Sequence, residues 1–273
     1  MGKLVWDQAG QKTYETGIDH GVLYDVDNSG NYVDGVAWNG LTAVTESPSG
    51  AENTDLYADN IKYLILKSAE QFGGTITAYT YPQEFEKHDG SADLATGVKI
   101  GQQSRTPFGL CYRSNVGNDT SGQDYGYKLH LIYGASANPS ERNYQTINDS
   151  PEAIEFSWEF STTPVNVTGF KPTALVTIDS TKATEAAMTA IEAVLYGTDG
   201  TVSYNAVTPV GTENPSTEGW YERSGSADPY TYTLTTDTTV DSGKTYYEKT
   251  ETGATVARLP LPDEVKRIMT AAG

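Results

Sequence analysis

Ile154-Glu155-Phe156-Ser157-Trp158-Glu159-Phe160 alternates without a break. Ile154, Phe156, Trp158 and Phe160 point one way, and Glu155, Ser157 and Glu159 the other. A period of two marks a strand with one buried and one wet face. The apolar face is large and aromatic, so a second layer must cover it. We assign Ile154, Phe156, Trp158 and Phe160 to core packing. Asn148-Asp149-Ser150-Pro151 forms a turn cluster before the strand, and Thr162-Thr163-Pro164 stops it.

Working outward, residues 1–21 are polar, with Trp6, Tyr14 and Ile18 as isolated anchors, and read as an extended arm. Val22-Leu23-Tyr24 begins a strand that returns over residues 32–38, a hairpin closed by Asp27-Asn28-Ser29-Gly30-Asn31. Leu41-Thr42-Ala43-Val44 is a further short strand. Residues 45–60 carry Glu46, Glu52, Asp55 and Asp59 and no basic residue, and read as an acidic loop or surface extension. The apolar run 61–66 and residues 75–81 form a second expected hairpin around Phe72-Gly73-Gly74. Residues 82–101 look irregular. Strands over 106–112 and 127–133 flank an exposed loop at 114–126, with Tyr127, Leu129, Leu131 and Tyr133 on one face. Short strands are expected at 165–167 and 174–178.

One helix is predicted over residues 182–196. Ala183, Ala187, Ile191, Val194 and Leu195 form its apolar stripe, Ser180 or Thr181 caps its start, and Gly197 follows its end. Ile191 joins the core-packing set. One helix among many strands predicts a mainly β fold, a sandwich or barrel of packed antiparallel sheets with a helix against one side. After Gly200 the chain turns rich in Thr, Tyr and Gly, with three short strands near 220–222, 230–234 and 244–249, a small β module. Apolar residues resume at Leu259-Pro260-Leu261-Pro262, ahead of a short helix. The expected division is a core over 1–200, an inserted module over 201–255, and a return to the core over 256–273.

The chain has 273 residues, ample for a large core, and its 18 basic against 36 acidic residues give a formal charge of −18. Such a surface repels phosphates, so gripping contact with nucleic acid or an anionic membrane is not expected, whereas an acidic wall past which DNA slides is compatible with it. The single cysteine, Cys111, reads as a core thiol in a reducing compartment. No secretory signal and no membrane-length apolar run are read, so the acceptor patterns at Asn118, Asn148 and Asn166 carry little weight.

Chemical motifs are scarce. There is no Gly-x-Ser-x-Gly elbow and no phosphate loop. His20, His88 and His130 are far apart and lack zinc-ligand spacing, with His130 expected at the surface. A calcium loop starting at Asp25 would need an acid at its twelfth position, which is Val36. Glu84, Glu86, Asp89 and Asp93 read as a solvated acidic surface rather than paired catalytic carboxylates. We therefore expect no catalytic, cofactor-binding or metal-binding residue. Arms, acidic loops and aromatic strand faces exceed what a monomer needs, which favours an assembling protein.

Several ordered motifs sharpen this. Tyr14-Glu15-Thr16-Gly17, Gly21-Val22-Leu23-Tyr24, Gly35-Val36-Ala37-Trp38-Asn39-Gly40-Leu41-Thr42 and Ser47-Pro48-Ser49-Gly50-Ala51-Glu52 occur in sequence. Tyr79-Thr80-Tyr81-Pro82, Phe108-Gly109-Leu110-Cys111-Tyr112-Arg113, residues 127–134 and 147–169, and Leu259-Pro260-Leu261-Pro262-Asp263-Glu264-Val265 follow. Together they resemble the major tail proteins of long-tailed, non-contractile bacteriophages of Gram-positive hosts, over residues 1–197 and 257–269. The resemblance implies two packed sheets with a flanking helix, and subunits in six-fold rings stacked head to tail into a tail tube for DNA passage. It implies a virion location after synthesis in the host cytoplasm. The implied partners are the chain itself, a tail-tip initiator, tape measure and tail terminator proteins, and DNA that passes without specific binding; no membrane is involved. Trp6, Tyr14, Ile18, Glu52 and Tyr57 become the expected inter-subunit contacts. Residues 219–250 resemble a small β module attached to various phage structural proteins, which would decorate the outside. Two rivals stay open: a cell-surface or carbohydrate-binding β protein, and a hydrolase using dispersed carboxylates.

Overall fold

The computed structural model describes residues 4–147, 153–209, 213–225 and 230–273, and the turn expected at 148–151 lies outside them. The chain is mainly β and divides into two compact units, residues 1–197 with 256–273, and residues 198–255.

The larger unit holds fourteen strands among its described residues. Eight form one antiparallel sheet: β1 (Thr13–Val26), β2 (Tyr32–Trp38), β3 (Leu41–Glu46), β8 (Gly73–Ala78), β11 (Phe108–Asn118), β12 (Gly122–Ala137), β13 (Phe156–Thr162) and β14 (Leu175–Asp179). Their order is β2-β1-β11-β12-β13-β8-β3, with β14 also paired to β12. The long strand β12 serves both halves of the sheet. Its Lys128 to Ile132 stretch pairs with β14, and Ala135 to Ala137 pair with β13. The corner between them is Gly134, at φ 59°, where a Cβ would lie 2.2 Å from the Thr163 carbonyl oxygen. Only glycine meets both demands.

Past this corner the sheet curls over its own face, giving a sandwich-like fold. Trp38 on β2 and Trp158 on β13 are far apart in strand order, yet their rings are 5.8 Å apart. The inner core joins Trp38, Ile76, Phe85, Phe108, Leu110, Ile132, Trp158 and Phe160. The aromatic face of β13 is thus covered largely by edge-on rings, Phe85 at 5.1 Å and Tyr81 at 5.3 Å from Trp158. The outer face packs Tyr24, Leu129, Leu131 and Tyr133 against α2 (Glu185–Tyr196) and α3 (Pro262–Ala271) through Ile191, Leu195 and Val265. Leu259 bridges to Tyr32, and the Tyr133 hydroxyl donates to the Pro260 carbonyl at 2.8 Å, which fastens the returning chain end.

Several expectations need correction. Strand β1 begins at Thr13, pairing with Asn118, so Tyr14 and Ile18 belong to the sheet rather than to an arm. A ladder of backbone hydrogen bonds holds this polar stretch without requiring apolar side chains. The loop expected at 114–126 is mostly strand, since β11 and β12 stay paired to Asn118–Gly122. Ile154 lies before β13 and is 38% exposed, outside the core. The helix cap is Thr184, whose side chain accepts from the Ala187 N–H at 3.2 Å, and not Ser180 or Thr181. Residues 165–167 make only a single bridge, Val165 to Thr173. Residues 82–101 are ordered as a 3₁₀ turn (Gln83–Phe85), α1 (Glu86–Asp89) and a hairpin of β9 (Ala92–Ala95) and β10 (Val98–Ile100).

The smaller unit is a four-stranded antiparallel sheet. It comprises β15 (Thr201–Val207), β16 (Tyr221–Ser224), β17 (Thr231–Leu234) and β18 (Tyr246–Thr252), in the order β15-β18-β16-β17. The strand at 201–207 adds to the three expected. Trp220, Tyr246 and Tyr247 are its buried rings.

Candidate assembly surfaces

The run Ile61-Lys62-Tyr63-Leu64-Ile65-Leu66 reads as an apolar strand, and the structure leaves it exposed. It forms β6 (Ile61–Lys67), paired with β5 (Asn53–Ala58) rather than with residues 75–81. The turn between them is Asp59-Asn60, at φ 52° and 64°. Two successive positive φ values suit the twist of a tight hairpin, and Asn and Asp tolerate them. Below this pair, β4 (Ser49–Gly50) meets β7 (Glu70–Gln71). One constant register runs from Ala43 opposite Thr77, through Ser49 opposite Gln71, to Leu56 opposite Leu64. Residues 41–78 are therefore a single hairpin. Its root, β3 with β8, is part of the main sheet, and its outer half projects as a two-stranded ribbon.

Every residue of β5 and β6 is exposed. Tyr57 is 71% exposed, Ile61 65% and Tyr63 68%. By alternation Leu64 and Leu66 lie on one face and Ile65 on the other, so both faces carry apolar side chains. A strand apolar on both faces is normally buried on both. A two-stranded ribbon alone in water is at best marginally stable. An ion pair between Lys62 and Asp55 at 2.7 Å and the Glu52 N–H donating to Ser68 Oγ at 3.1 Å steady it, but among the described residues its large apolar side chains stay 37–71% exposed.

Two other apolar surfaces flank the same unit. The β9–β10 hairpin exposes Leu94, Val98 and Ile100, while Lys99 ties it to Glu86 and, at 2.9 Å, to Asp93. Near the N-terminus Leu4, Val5 and Trp6 are exposed. Gly10 N–H donates to Asp119 Oδ1 at 2.9 Å, so the segment following Trp6 is held to the β11–β12 turn.

The expected contact residues thus fall into distinct settings. Trp6, Glu52 and Tyr57 are exposed, and Tyr57 lies within the ribbon. Tyr14 is half-exposed, its ring over Gly117. Ile18 packs against the inner core of its own chain. Of the core set, Trp158, Phe160 and Ile191 are buried, Phe156 is partly buried, and Ile154 is not. The apolar run at 61–66 was visible in the sequence, but its exposure was not.

One histidine, His130, differs from expectation. His88 is buried, between Asp25 Oδ1 at 3.0 Å and the Thr106 carbonyl at 2.9 Å, and burial pushes its pKa down. His130 is largely buried rather than at the surface: it stacks on Tyr112 and contacts Ser114 and Glu46. Asp19, paired to Arg113 at 2.7 and 2.8 Å, is held below the ordinary carboxylate range by those bonds. Among the described residues no cluster of three or more His, Cys, Asp or Glu side chains could hold a metal ion. No helix there is long and apolar enough to cross a membrane.

No protein-family model matches the chain, and no curated protein matches it.

Proposed function

We propose that the chain is a structural subunit that polymerises into stacked hexameric rings, the tail tube of a non-contractile phage tail. The observation that carries this is the ribbon of residues 49–71, apolar on both faces, uncovered, and continuous in register with the core sheet. Such a surface needs an occupant, and copies of the same chain supply one at every site of a regular polymer. The ordered motifs that resemble those of major tail proteins point the same way. On this reading Trp6, Tyr57 and the ribbon contact neighbouring subunits. The net charge of −18 suits a lumen through which DNA passes without binding. A tail-tip initiator, tape measure and tail terminator would set where the polymer starts and stops, and the residue 198–255 module would decorate its outside. The protein would be made in the host cytoplasm and function in the virion tail.

Electron microscopy of the purified protein over a concentration series, with and without the cognate tail-tip complex, tests the proposal. Hollow striated tubes are expected. Dispersed monomers under both conditions would refute it.

A carbohydrate-binding reading is favoured by one feature. Tyr204, Tyr221 and Tyr232 are partly exposed and adjacent in the smaller unit. Yet Tyr204 and Tyr232 stack on each other at 3.8 Å, which leaves less ring face for a sugar. A glycan array with and without residues 198–255 separates the two readings.

A further inference from the structure

A pocket of about 490 Å³ opens between β1, β3, β11 and β12 and contains a chain of hydrogen bonds. Ile18, Ala43 and Val44 give it an apolar wall beside Glu46, Ser114 and His130. Tyr112 and Ser114 share one face of β11 by alternation. On β12, His130 is the cross-strand partner of Tyr112, and Lys128 that of Ser114. Ser114 Oγ lies 2.9 Å from His130 Nε2. His130 Nδ1 lies 3.1 Å from Glu46 Oε1. The Tyr112 hydroxyl donates to that same oxygen at 2.5 Å, and its ring lies flat on the imidazole, 4.6 Å away and 3° from parallel.

The proton positions follow from these partners. The Glu46 carboxyl is held below its ordinary value, chiefly by the hydrogen bond from His130, so it is ionised at neutral pH and only accepts. Nδ1 therefore carries a proton. In the neutral ring Nε2 is then a bare acceptor, and the hydrogen between it and Ser114 belongs to the serine. His88 gives the contrast: it too touches a hydroxyl, that of Thr106, and a carboxylate, that of Asp25, but it is 1% exposed and out of reach of any substrate.

We propose that Ser114 is a nucleophile activated by His130, with Glu46 as the positioning residue, and that this pocket accepts small carboxylic esters. Ser114 Oγ attacks the ester carbonyl carbon while its proton passes to His130 Nε2. The ester C–O bond breaks, His130 returns that proton to the departing oxygen, and the alcohol leaves an acyl-serine behind. Water then attacks the acyl carbon and gives a proton to Nε2. As the acyl–serine bond breaks, that proton goes to Ser114 and the carboxylic acid is released. Glu46 stays ionised throughout and offsets the transient imidazolium. Lys128, the cross-strand partner of Ser114, is itself ion-paired with Glu15.

The full-length protein is treated with a fluorophosphonate probe, folded and in urea, and the adduct is mapped by peptide mass spectrometry. Labelling of Ser114 in the folded protein alone is expected, together with hydrolysis of 4-nitrophenyl acetate that Ser114→Ala abolishes. His130→Gln should remove the labelling. Glu46→Gln should lower kcat roughly a hundredfold with KM unchanged, a split that loosened packing would not produce. No adduct at Ser114 in the folded wild-type protein overturns the proposal, a result that depends on no variant folding. Equal labelling of the folded and unfolded chain, or of wild type and a folded His130→Gln, overturns it as well.

Discussion

Replacing Ile61 and Ile65 together by threonine isolates the ribbon's role in assembly. Threonine keeps the β-branched shape and strand preference, so the hairpin itself should persist. Ile61 is 65% exposed and Ile65 47%, so together they leave about one isoleucine side chain in water. Covering that much apolar surface contributes about 2 kcal/mol, which threonine would largely forfeit. At about 1.4 kcal/mol per factor of ten, the critical concentration for polymerisation should rise roughly thirtyfold. Subunit stability should change by no more than about 0.5 kcal/mol, since exposed positions tolerate substitution. Sedimentation across a concentration series measures the first quantity, and urea unfolding below the critical concentration the second. An unchanged critical concentration in a stably folded double variant would refute the argument that the ribbon is an interface. A large loss of stability would show that these side chains support the subunit instead.

Three further outcomes are expected. Trp158→Ala removes the ring that joins Trp38, Tyr81 and Phe85, and should cost about 3–5 kcal/mol in urea unfolding of the subunit; a folded, stable variant deficient only in assembly would contradict its core placement. The His88 ring, pushed down by burial that Asp25 and Thr106 offset only in part, should titrate below the ordinary value of about 6.5 by NMR. Its contribution to stability is complete above that pH and declines as pH falls from there towards the folded pKa, because the unfolded chain takes up the proton first; a titration midpoint at or above the ordinary value would contradict this. Excising residues 198–255 and joining Gly197 to Val256 through a short glycine linker should leave the larger unit folded, because the chain leaves and returns where Arg258 N–H donates to the Val194 carbonyl at 3.0 Å; loss of its cooperative unfolding transition would count against this.

Much of the fold was legible because the core strands obey alternation. Leu129, Leu131 and Tyr133 share the helix-facing side of β12, as their spacing predicts, and Trp158 and Phe160 are buried on the aromatic side of β13. The helix end at Gly197, at φ 75°, was readable from residue type. Alternation failed where it had nothing to report. Residues 13–20 of β1 are held by backbone pairing along a largely exposed edge, so their side chains carry little burial signal. The ribbon misled in the opposite sense. Apolar content at 61–66 marks a surface to be covered, and sequence alone does not say whether the cover comes from the same chain. The Glu46–His130–Ser114 chain was invisible because its members come from three strands, and only the curl of the sheet brings β3 over β11 and β12.

The unbroken register from the main sheet into the ribbon has a mechanical consequence. Strand pairing lapses at residues 47–48 and 72, between the β3–β8 and β4–β7 ladders, so resistance to bending is lowest beside Pro48, opposite Phe72. The ring of Phe72 lies 6.5 Å from that of Phe160, and Phe160 also fills the space above Gly74. The ribbon is thus a lever whose fulcrum abuts the inner core. Its free arm runs roughly 35 Å from Pro48 to the Asp59-Asn60 turn, at about 3.3 Å per residue. A tilt of roughly 5° at the fulcrum sweeps the tip through about 3 Å, enough to exchange one set of side-chain contacts for another. A tilt of the ribbon would therefore press on the packing around Phe160.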